Sequence, residues 1–386
     1  MKRKIAILGS TGSIGKTLLK ILQNDKKYFK IVLISGNKNY KELLKQSKIF
    51  KVKNLILSDD KSYQKLKKKN LKSINIYNNF NSLENILKNK IDYVMSAITG
   101  IDGLEPTLKI IKHTKKIAIA NKESIICGWH LIKKEINKFN VSFIPVDSEH
   151  FSIFYALRGI NISKIEKIYL TASGGPFKTL SKSKLKSVKI SDAINHPNWV
   201  MGKKISVDSA TMMNKVFEII EAKKIFNLKY KLLDILVHPS SYIHAIIKFN
   251  DGMIKIIAHD TNMKIPIFNS VYENHNKIIK THKLDLKKLN FLDFEKVNLD
   301  KFPSIDIIKT FKDSETLIET VIVLANDELV KLFLLKKIRF TDILFYLQKL
   351  IRMKKIKKLY LKKPGNLKSI LFLDNYVRKE INNLIF

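Results

Sequence analysis

The chain has 386 residues, of which 45% are hydrophobic, so it is long enough to build two or three domains around real cores. Its single cysteine excludes an internal disulfide framework, and its longest apolar runs fall short of the roughly 18 residues that a membrane helix needs. The formal net charge of +38 is compatible with a polyanion-binding protein, but lysines occur in every segment, which favours a general compositional bias.

Short apolar runs alternate with amphipathic helical patterns, such as Lys16–Gln23 and Tyr40–Lys45, over residues 1–150. Strands that alternate with helices predict parallel pairing and right-handed crossovers. We therefore expect an α/β fold with an N-terminal doubly wound, Rossmann-like domain, and no targeting segment before its first strand. The predicted strands are Ile5–Leu8, Ile31–Ile34, Leu55–Leu57, Tyr93–Ser96, Ile117–Ala120 and Val141–Val146.

The pattern of predicted secondary structure changes twice in the remainder of the chain. Residues 151–283 mix strands with a helix predicted from about Ala210 to Phe226, which indicates an α+β catalytic domain. Asp251-Gly252 between the last two strands predicts a hairpin. Residues 284–304 form a polar connector, and residues 305–386 have the pattern of a C-terminal helical domain. The strands predicted here are Ile165–Thr171, Ile235–His238, Tyr242–Phe249 and Met253–Ala258.

A glycine-rich loop, from Gly9 to Gly15, follows the first predicted strand and precedes a helix. Its spacing is GxxGxxG, and glycines in this position let the backbone approach a pyrophosphate at a helix N-terminus. After the second strand, where NAD sites carry an acid, the chain has Asn37 and Lys38. The missing acid and the added cation favour NADP over NAD, although Lys38 also fits the general richness in lysine.

Two groups of acids have the spacing of a metal site. Asp147 and Glu149 follow an apolar run, and in a continued strand residues two apart face the same way. Lys215, Glu218 and Glu221 lie three residues apart in a predicted helix and so share a face. Carboxylate oxygens on rigid elements suit Mg²⁺ or Mn²⁺ better than Zn²⁺. The alternative is a set of solvated acids that pair with nearby lysines.

Further polar side chains follow strands or begin helices. Ser173 follows the strand that ends at Thr171, and Ser209 is predicted near the start of the long helix. A serine there serves as an N-cap or helps to bind an anion, and Asn214, one turn further on, extends the group toward an anion pocket. Lys122 follows another strand, at the edge where open α/β sheets bind ligands.

Residues 196–202, with the sequence HPNWVMG, form a polar and aromatic loop. A loop of this kind closes over a substrate and excludes water, or it is an ordinary surface loop with one buried tryptophan. Cys127 lies in an apolar stretch, which favours a buried thiol over a nucleophile.

These segments together resemble the 1-deoxy-D-xylulose 5-phosphate reductoisomerase family, from Gly9 to about Asp342. The matching segments are GSTGSIG, ANKES, PVDSEH, SGGPF, HPNW, MGKKISVDSATMMNK and VHPSSYIHA, which are highly specific as a set. The resemblance implies an NADPH- and metal-dependent cytoplasmic homodimer that makes 2-C-methyl-D-erythritol 4-phosphate for isoprenoid precursors. It implies a small sugar phosphate as the binding partner, with neither a membrane nor a specific nucleic acid.

The resemblance also assigns roles to individual residues. The implied metal ligands are Asp147, Glu149 and Glu218. The implied NADPH contacts are Thr11, Gly12, Ser13, Ile14, Gly36, Asn37, Asn121 and Gly202. The implied substrate contacts are Lys122, Ser148, Glu149, Ser173, His196, Ser209, Asn214, Lys215 and Glu218, with the phosphate at Ser173, Ser209, Asn214 and Lys215. The implied catalytic residues are Lys122, Glu149 and His196, and Trp199 and Met201 fall on the closing loop.

The chain departs from the family pattern in three places. Residues 259–263 read HDTNM where the family has Gly-x-Pro-Asp-Met, a proline expected soon after Tyr272 is missing, and the match is poor beyond about Asp342. Two other functions are consistent with the sequence. One is an NADP-linked semialdehyde dehydrogenase with Cys127 as nucleophile, and the other is a polyanion-binding protein that exploits the positive charge.

Overall fold

The computed structural model describes residues 2–273 and 276–386. The chain divides into two compact units, each with its own hydrophobic core. The first unit is drawn from Met1–Ser124, His130–Asp147 and Met263–Ile279, and the second from Ile125–Trp129, Ser148–Asn262 and Lys280–Phe386. Each unit is therefore assembled from segments that are distant in the sequence.

Strands and helices alternate through the first part of the chain, and helices predominate at its end. The strands are β1 (Arg3–Leu8), β2 (Phe29–Gly36), β3 (Asn54–Leu57), β4 (Asn75–Tyr77), β5 (Tyr93–Ser96), β6 (Lys116–Ile119), β7 (Ser142–Pro145), β8 (Ile165–Ala172), β9 (Leu233–Val237), β10 (Ile243–Phe249), β11 (Ile254–Ala258) and β12 (Glu295–Lys296). The helices are α1 (Ser13–Gln23), α2 (Tyr40–Phe50), α3 (Asp60–Lys67), α4 (Leu83–Ile86), α5 (Leu104–Ile111), α6 (Lys122–Phe139), α7 (Ser148–Ala156), α8 (Ile190–Ile194), α9 (Lys203–Ala210), α10 (Met213–Phe226), α11 (Lys264–Tyr272), α12 (Leu286–Asn290), α13 (Leu317–Leu334), α14 (Phe340–Arg352), α15 (Lys354–Lys357) and α16 (Leu367–Ile385). Of the helices in the described ranges, none is both long and apolar enough to span a bilayer.

The first unit contains a seven-stranded parallel sheet in the order β4-β3-β2-β1-β5-β6-β7. Its central strands are continuous apolar runs, such as Ile5–Leu8, that are buried on both faces. The strand order reverses between β1 and β5, and such a switch point is where open α/β sheets bind ligands. The predicted doubly wound architecture is confirmed. The sequence analysis missed β4, because its three half-exposed residues have no distinct apolar pattern.

The helix α11 completes the core of the first unit, although it follows the second sheet in the sequence. Ile267 and Val271 pack in the same cluster as Ile5 and Ile7 of β1. The hydroxyl groups of Tyr93 and Ser270 are 2.8 Å apart inside this core. The segment singled out above for a missing proline includes residues 274–275, which lie outside the described residues.

The second unit contains a five-stranded mixed sheet in the order β11-β10-β8-β9-β12. β10 pairs antiparallel with β8 and β11, and the predicted hairpin turn at Asp251-Gly252 is confirmed. Helix α10 packs Ile219, Ala222 and Phe226 against this sheet. It begins three residues later than predicted, because Met212 has φ +61°, a left-handed conformation that ends the preceding helical turn.

A buried ion pair connects α10 to the C-terminal helices, of which α13, α14 and α16 contact one another. Lys224 on α10 places Nζ 2.6 Å from Oε2 of Glu319 on α13, and both side chains are almost fully buried. The hydroxyl of Tyr230 donates a hydrogen bond to the same carboxylate. Burial raises the pKa of Tyr230, and the charge of Glu319 adds to this effect, so the phenol stays protonated and donates.

We expect Glu319→Ala to destabilise the protein strongly, because it leaves the ammonium of Lys224 buried without its carboxylate. Loss of one partner of a buried pair costs about 3–5 kcal/mol of unfolding free energy. The control is Glu166→Ala, which removes a carboxylate from an exposed pair with Lys248 and should leave the unfolding midpoint nearly unchanged. The measurement is urea unfolding followed by circular dichroism. Equal midpoints for the two variants would contradict the structural role of the buried pair.

Candidate active site

The segment between β1 and α1 has the conformation of a phosphate-binding loop. Gly9 has φ +81°, and a Cβ atom there would lie 2.6 Å from the carbonyl oxygen of Ala97, so a larger residue does not fit. Helix α1 begins at Ser13, directly after Gly12, which has no side chain to cap the first N–H groups. These N–H groups and the positive end of the helix dipole suit a pyrophosphate. The predicted cofactor residues Thr11, Gly12, Ser13 and Ile14 all lie in this segment.

Three other predicted cofactor residues lie at strand ends or before a helix. Gly36 is the last residue of β2, and Asn37 follows it with Nδ2 donating to Oγ of Ser58 at 2.8 Å. Gly202 belongs to the second unit, where it directly precedes α9. Gly36 and Asn37 therefore lie at the carboxyl edge of the parallel sheet, as the sequence predicted.

Asn121 is a structural residue as well as a predicted cofactor contact. It caps α6 by accepting a hydrogen bond from the N–H of Ser124. Its Nδ2 donates to the carbonyl oxygens of Ile98 and Gly100, the latter at 2.9 Å. Its amide therefore connects the loop after β5 to the loop after β6, and both loops lie at the carboxyl edge of the sheet.

Lys122 and Asp147 meet beyond the ends of the neighbouring strands β6 and β7. Lys122 is the first residue of α6, and Asp147 lies two residues after Pro145, the end of β7. The Nζ atom of Lys122 donates to Oδ2 of Asp147, and both side chains are mostly buried. The predicted substrate lysine and the predicted metal carboxylate are thus direct partners in the first unit.

In the second unit, Lys215 lies between two carboxylates. Its Nζ atom is 2.5 Å from Oε1 of Glu149 and 2.5 Å from Oε2 of Glu218, and it donates to the carbonyl oxygen of Thr171 at 2.5 Å. Burial opposes the charge on Lys215, but the negative charges of Glu149 and Glu218 outweigh burial and raise the pKa of Lys215 above its ordinary value. Two carboxylates around one ammonium leave an excess of negative charge, which favours a cation.

The local structure around Glu149 differs from the prediction. β7 ends at Pro145, and Glu149 lies in the first turn of α7. The prediction of a strand continuing through Asp147 and Glu149 is wrong. Helix α7 instead begins at Ser148. The acid Glu149 stabilises its first turn, because a negative charge there interacts favourably with the helix dipole. The helix, rather than strand alternation, therefore directs Glu149 toward Lys215.

The predicted helical face on α10 is confirmed, with one difference. Asn214 donates from Nδ2 to Oε1 of Glu218 at 2.5 Å, so Asn214, Lys215 and Glu218 form one connected group. Glu221 instead faces the fully buried His150 on α7, with 3.8 Å between its Oε2 and Nδ1 of His150. This face of α10 therefore contributes to two separate groups of side chains: Lys215 and Glu218 belong to one, and Glu221 belongs to the other, with His150.

Ser173, directly after β8, is hydrogen-bonded to His196. The Oγ of Ser173 and Nε2 of His196 are 3.0 Å apart, and Nδ1 of His196 accepts hydrogen bonds from the N–H groups of Asn198 and Trp199, each at 3.1 Å. Because Nδ1 accepts twice, the proton of the neutral ring is on Nε2, which donates to Ser173. Burial, and then the charge of Lys215, lower the pKa of His196 to about 4.

The loop of residues 196–202 is anchored by its own polar and aromatic groups. Asn198 donates from Nδ2 to the carbonyl oxygen of Pro239 at 2.6 Å and to Oγ of Ser241 at 2.8 Å. The half-buried ring of Trp199 lies edge-on to the ring of His244, with centroids 6.1 Å apart. The loop is therefore held against the segment between β9 and β10.

The predicted position of Ser209 is wrong. Ser209 lies in the last turn of α9, not at the start of a helix, because the left-handed Met212 separates α9 from α10. The argument from free N–H groups therefore does not apply to it. Ser209 instead lies beside the loop after β8, since a Cβ atom on Gly175 would be 2.7 Å from the Ser209 carbonyl oxygen. Gly175 therefore connects the two serines: its N–H donates to Oγ of Ser173 at 3.1 Å, and its backbone packs against Ser209.

Sequence reasoning missed a polar cluster that fixes the end of α9. Asp208 accepts a hydrogen bond from Nδ2 of Asn326 at 2.7 Å, and Lys204 pairs with both Asp208 and Asp327. Asp208 precedes Ser209, so this cluster connects a predicted substrate residue to α13. No local spacing could indicate it, because Asp208 and Asn326 are 118 residues apart.

Cys127 is fully buried within α6. A nucleophilic thiol must be accessible and activated. The dehydrogenase alternative, which needs this nucleophile, is therefore not supported by the position of the side chain.

The sheet order and the glycine loop of the first unit are those of dinucleotide-binding proteins. The second unit adds buried carboxylates of the kind that bind hard cations, and hydroxyl groups beside them. Together these features define a nicotinamide-dependent α/β enzyme with an oxygen-rich cation site.

Comparison with known proteins identifies the family. The family model described as 1-deoxy-D-xylulose 5-phosphate reductoisomerase matches residues 5–128, and two models of the reductoisomerase C-terminal domain match residues 143–226 and 260–380. The Pelagibacter ubique reductoisomerase is 55% identical over 386 residues and 99% of each chain. The Clostridium tetani protein of the same name is 35% identical, over 98% of this chain and all of its own length. The chain belongs to the 1-deoxy-D-xylulose 5-phosphate reductoisomerase family.

Solved structures agree over the whole length. The Zymomonas mobilis reductoisomerase in complex with NADPH matches with a TM-score of 0.86 and 31% identity, covering 100% of this chain and 99% of that one. A reductoisomerase in complex with NADPH, fosmidomycin and magnesium matches with a TM-score of 0.88 and 32% identity, over 99% and 98% of the two chains. The family fold therefore extends through the C-terminal helices. The C-terminal domain model also matches to residue 380, so the expectation of a poor match beyond about Asp342 is wrong.

We expect Gly175→Ala to perturb the Ser173–Ser209 region, because the new Cβ atom would lie 2.7 Å from the Ser209 carbonyl oxygen at a φ of +67°. The matched control is Gly159→Ala, which has a similar φ of +70° but no atom within 4 Å of the new Cβ. Both variants incur the left-handed backbone cost of about 1–2 kcal/mol. Thermal unfolding and substrate KM should both be more strongly affected in Gly175→Ala, and equal effects would contradict the contact.

The neutral His196 predicts a pH dependence of stability. The folded pKa of about 4 is below the ordinary 6.5, so the unfolded chain takes up a proton first as the pH falls. The stabilising contribution is therefore complete above about pH 6.5 and is lost as the pH falls toward 4. We expect wild type to lose stability more steeply than His196→Asn in this window, measured as unfolding midpoints. Parallel pH curves for the two proteins would contradict a buried, neutral His196.

Proposed function

We propose that the chain converts 1-deoxy-D-xylulose 5-phosphate to 2-C-methyl-D-erythritol 4-phosphate, with NADPH as reductant and a divalent metal ion as cofactor. The observation that carries the proposal is the position of Lys215 between Glu149 and Glu218 in the second unit. This arrangement supplies carboxylates for a cation and an ammonium group for a phosphate in one buried group of side chains. The first unit supplies the dinucleotide-binding loop.

The proposed metal ligands are Asp147, Glu149 and Glu218. Carboxylate oxygens are the donors that Mg²⁺ and Mn²⁺ prefer, so the residues fit such an ion. A bound cation supplies Lewis-acid polarisation of a substrate carbonyl oxygen. Asn214 holds the Glu218 carboxylate by a hydrogen bond, and Lys122 does the same for Asp147, so each orients a ligand.

The proposed NADPH contacts are the eight residues that the family resemblance implies. They are Thr11, Gly12, Ser13, Ile14, Gly36, Asn37, Asn121 and Gly202. The uncapped N-terminus of α1 fits the pyrophosphate of such a cofactor. NADPH supplies a hydride when it is bound.

The remaining polar residues are proposed to bind and orient the sugar phosphate. The proposed phosphate contacts are Ser173, Ser209, Asn214 and Lys215, and the other substrate contacts are Lys122, Ser148, Glu149, His196 and Glu218. The neutral His196 holds its Nε2 proton at Ser173, where it orients the hydroxyl. Lys122 and Lys215 offset negative charge, Glu149 assists proton transfer, and the loop with Trp199 and Met201 excludes water.

We further propose a domain organisation in which each segment of the chain has its own role. Residues 1–150 form the Rossmann-like domain with most of the NADPH contacts and the first of the metal and substrate residues. Residues 151–283 form the catalytic domain with the remaining metal and substrate residues, residues 284–304 form the connector, and residues 305–386 form the helical domain. The proposed location is the cytoplasm, where NADPH and sugar phosphates are available. The proposed partner is the sugar phosphate, with no specific nucleic acid and no membrane.

A homodimer is proposed from the exposed edge of the second sheet. β11 is an edge strand, and its Ile254 and Ile256 are about half-exposed. An apolar edge strand with unpaired backbone groups is a template for pairing with another strand. A second copy of this chain, which offers the same edge, is the proposed occupant because identical edges pair in a closed twofold arrangement.

The direct test of the proposed activity is the absorbance of NADPH after addition of 1-deoxy-D-xylulose 5-phosphate. We expect Glu218→Gln to reduce turnover at least about 100-fold, because it removes a charge that binds the cation and pairs with Lys215. NADPH binding, measured by fluorescence titration, should remain largely intact, and a chelator should stop the wild-type reaction. Glu166→Gln, on an exposed surface, is the control. Near-native turnover of Glu218→Gln at saturating Mg²⁺ would refute the metal site.

We expect Ile256→Lys to shift the protein from dimer to monomer, because a lysine on an edge strand opposes strand pairing. The measurement is sedimentation velocity at several protein concentrations. The control is Leu361→Lys, which places the same charge at an exposed apolar residue away from the sheet. A dimer that persists in Ile256→Lys would contradict the proposed interface.

A further inference from the structure

The segment after β11 places one imidazole ring on another. The rings of His244 and His259 are stacked, with centroids 3.6 Å apart and planes inclined by 19°. His244 lies on β10 and is almost fully buried, whereas His259 is half-buried just beyond β11. One face of the His244 ring is therefore covered by His259.

Each of the two rings donates a hydrogen bond to a backbone carbonyl oxygen. His244 donates from Nε2 to the carbonyl oxygen of His259 at 3.0 Å, and His259 donates from Nδ1 to the carbonyl oxygen of Asp260 at 2.8 Å. Because a carbonyl oxygen only accepts, each bond assigns the proton of one ring. Burial lowers the pKa of His259, which favours its neutral form.

The His244 ring also contacts the loop of residues 196–202. The ring of Trp199 is edge-on to His244, with centroids 6.1 Å apart and planes inclined by 67°. Such edge contacts are favourable for aromatic rings. Trp199, His244 and His259 therefore form a series of three rings, called here the ring column. In the column, His244 contacts both of the other rings.

We propose that His259 is a positioning residue that holds the loop of residues 196–202 by acting through His244 on Trp199. The proposal rests on the proposed function only in taking this loop to cover the substrate. The strand fixes the backbone of His244, but the direction of its ring depends on what surrounds it. Without the His259 ring, His244 has space to turn away and Trp199 loses the edge contact. The carbonyl oxygen of His259 remains in any variant, so the ring alone is tested.

The test compares His259→Ala with His259→Phe in the full-length protein. Phenylalanine keeps an aromatic ring over His244, whereas alanine removes it. The chain has two tryptophans, so the signal of Trp199 is taken as the difference between each protein and its Trp199→Phe counterpart. We expect acrylamide to quench Trp199 more strongly in His259→Ala, and near the wild-type level in His259→Phe.

Activity gives a second, separate readout. We expect His259→Ala to raise the KM for 1-deoxy-D-xylulose 5-phosphate by between about twofold and tenfold, the range that one aromatic pair contributes. The kcat should change less than KM, because the hydrogen bond and the ring contact of His259 are made to Asp260 and His244, which have no proposed catalytic role, and His259→Phe should restore KM. The control His282→Ala removes an exposed imidazole that pairs with Asp260 and should leave quenching and KM unchanged.

The outcomes separate this inference from the proposed function. Wild-type quenching in a folded His259→Ala overturns the positioning role, whatever the activity. Failure of His259→Phe to restore quenching and KM also overturns it. If wild type lacks reductoisomerase activity, the quenching experiment still decides the role of His259. If His259→Ala does not fold, His259→Asn, which is too small to cover His244, is measured with the same expectations.

Discussion

The rest of the candidate site depends on the buried ion pairs that Lys215 makes with Glu149 and Glu218. A buried ammonium is costly unless it is paired, and here two carboxylates and a backbone carbonyl surround it. The partners come from three elements of the second unit: Glu149 from α7, Glu218 from α10 and Thr171 from β8. Because all three must be in place to stabilise one charge, the network fixes the relative positions of these elements. It also keeps acids of like charge close together, which is the condition for holding a divalent cation.

The elements that carry this network are themselves anchored to the C-terminal helices. α10 is joined to α13 by the buried pair of Lys224 and Glu319, and the end of α9 is joined to α13 by Asp208 and Asn326. The C-terminal helices contribute no residue to the proposed site. They restrict the helices that do, and this restriction gives the C-terminal region a physical role in the family fold.

Histidine chemistry links the site to the loop of residues 196–202. His196 uses one nitrogen for Ser173 and the other for two loop N–H groups, an arrangement that only the neutral ring permits. Asn198 and Trp199 then attach the same loop to the segment that leads into β10. His196 is therefore in direct contact with both the loop and Ser173.

The sequence by itself determined the parallel α/β sheet, the glycine loop, the α10 face and the family, because periodicity, turn chemistry and motif spacing are local properties. About the site it was wrong on two local structures, and its assignments of individual site residues stay predictions. A strand was predicted through Glu149 where a helix begins, and Ser209 was assigned to a helix start where a helix ends. Tertiary structure alone decided the contacts between distant residues, such as Asp208 with Asn326 and His244 with His259. The physical reason is that these pairs are stabilised by burial and mutual geometry, which arise only once the folded chain brings separate segments together.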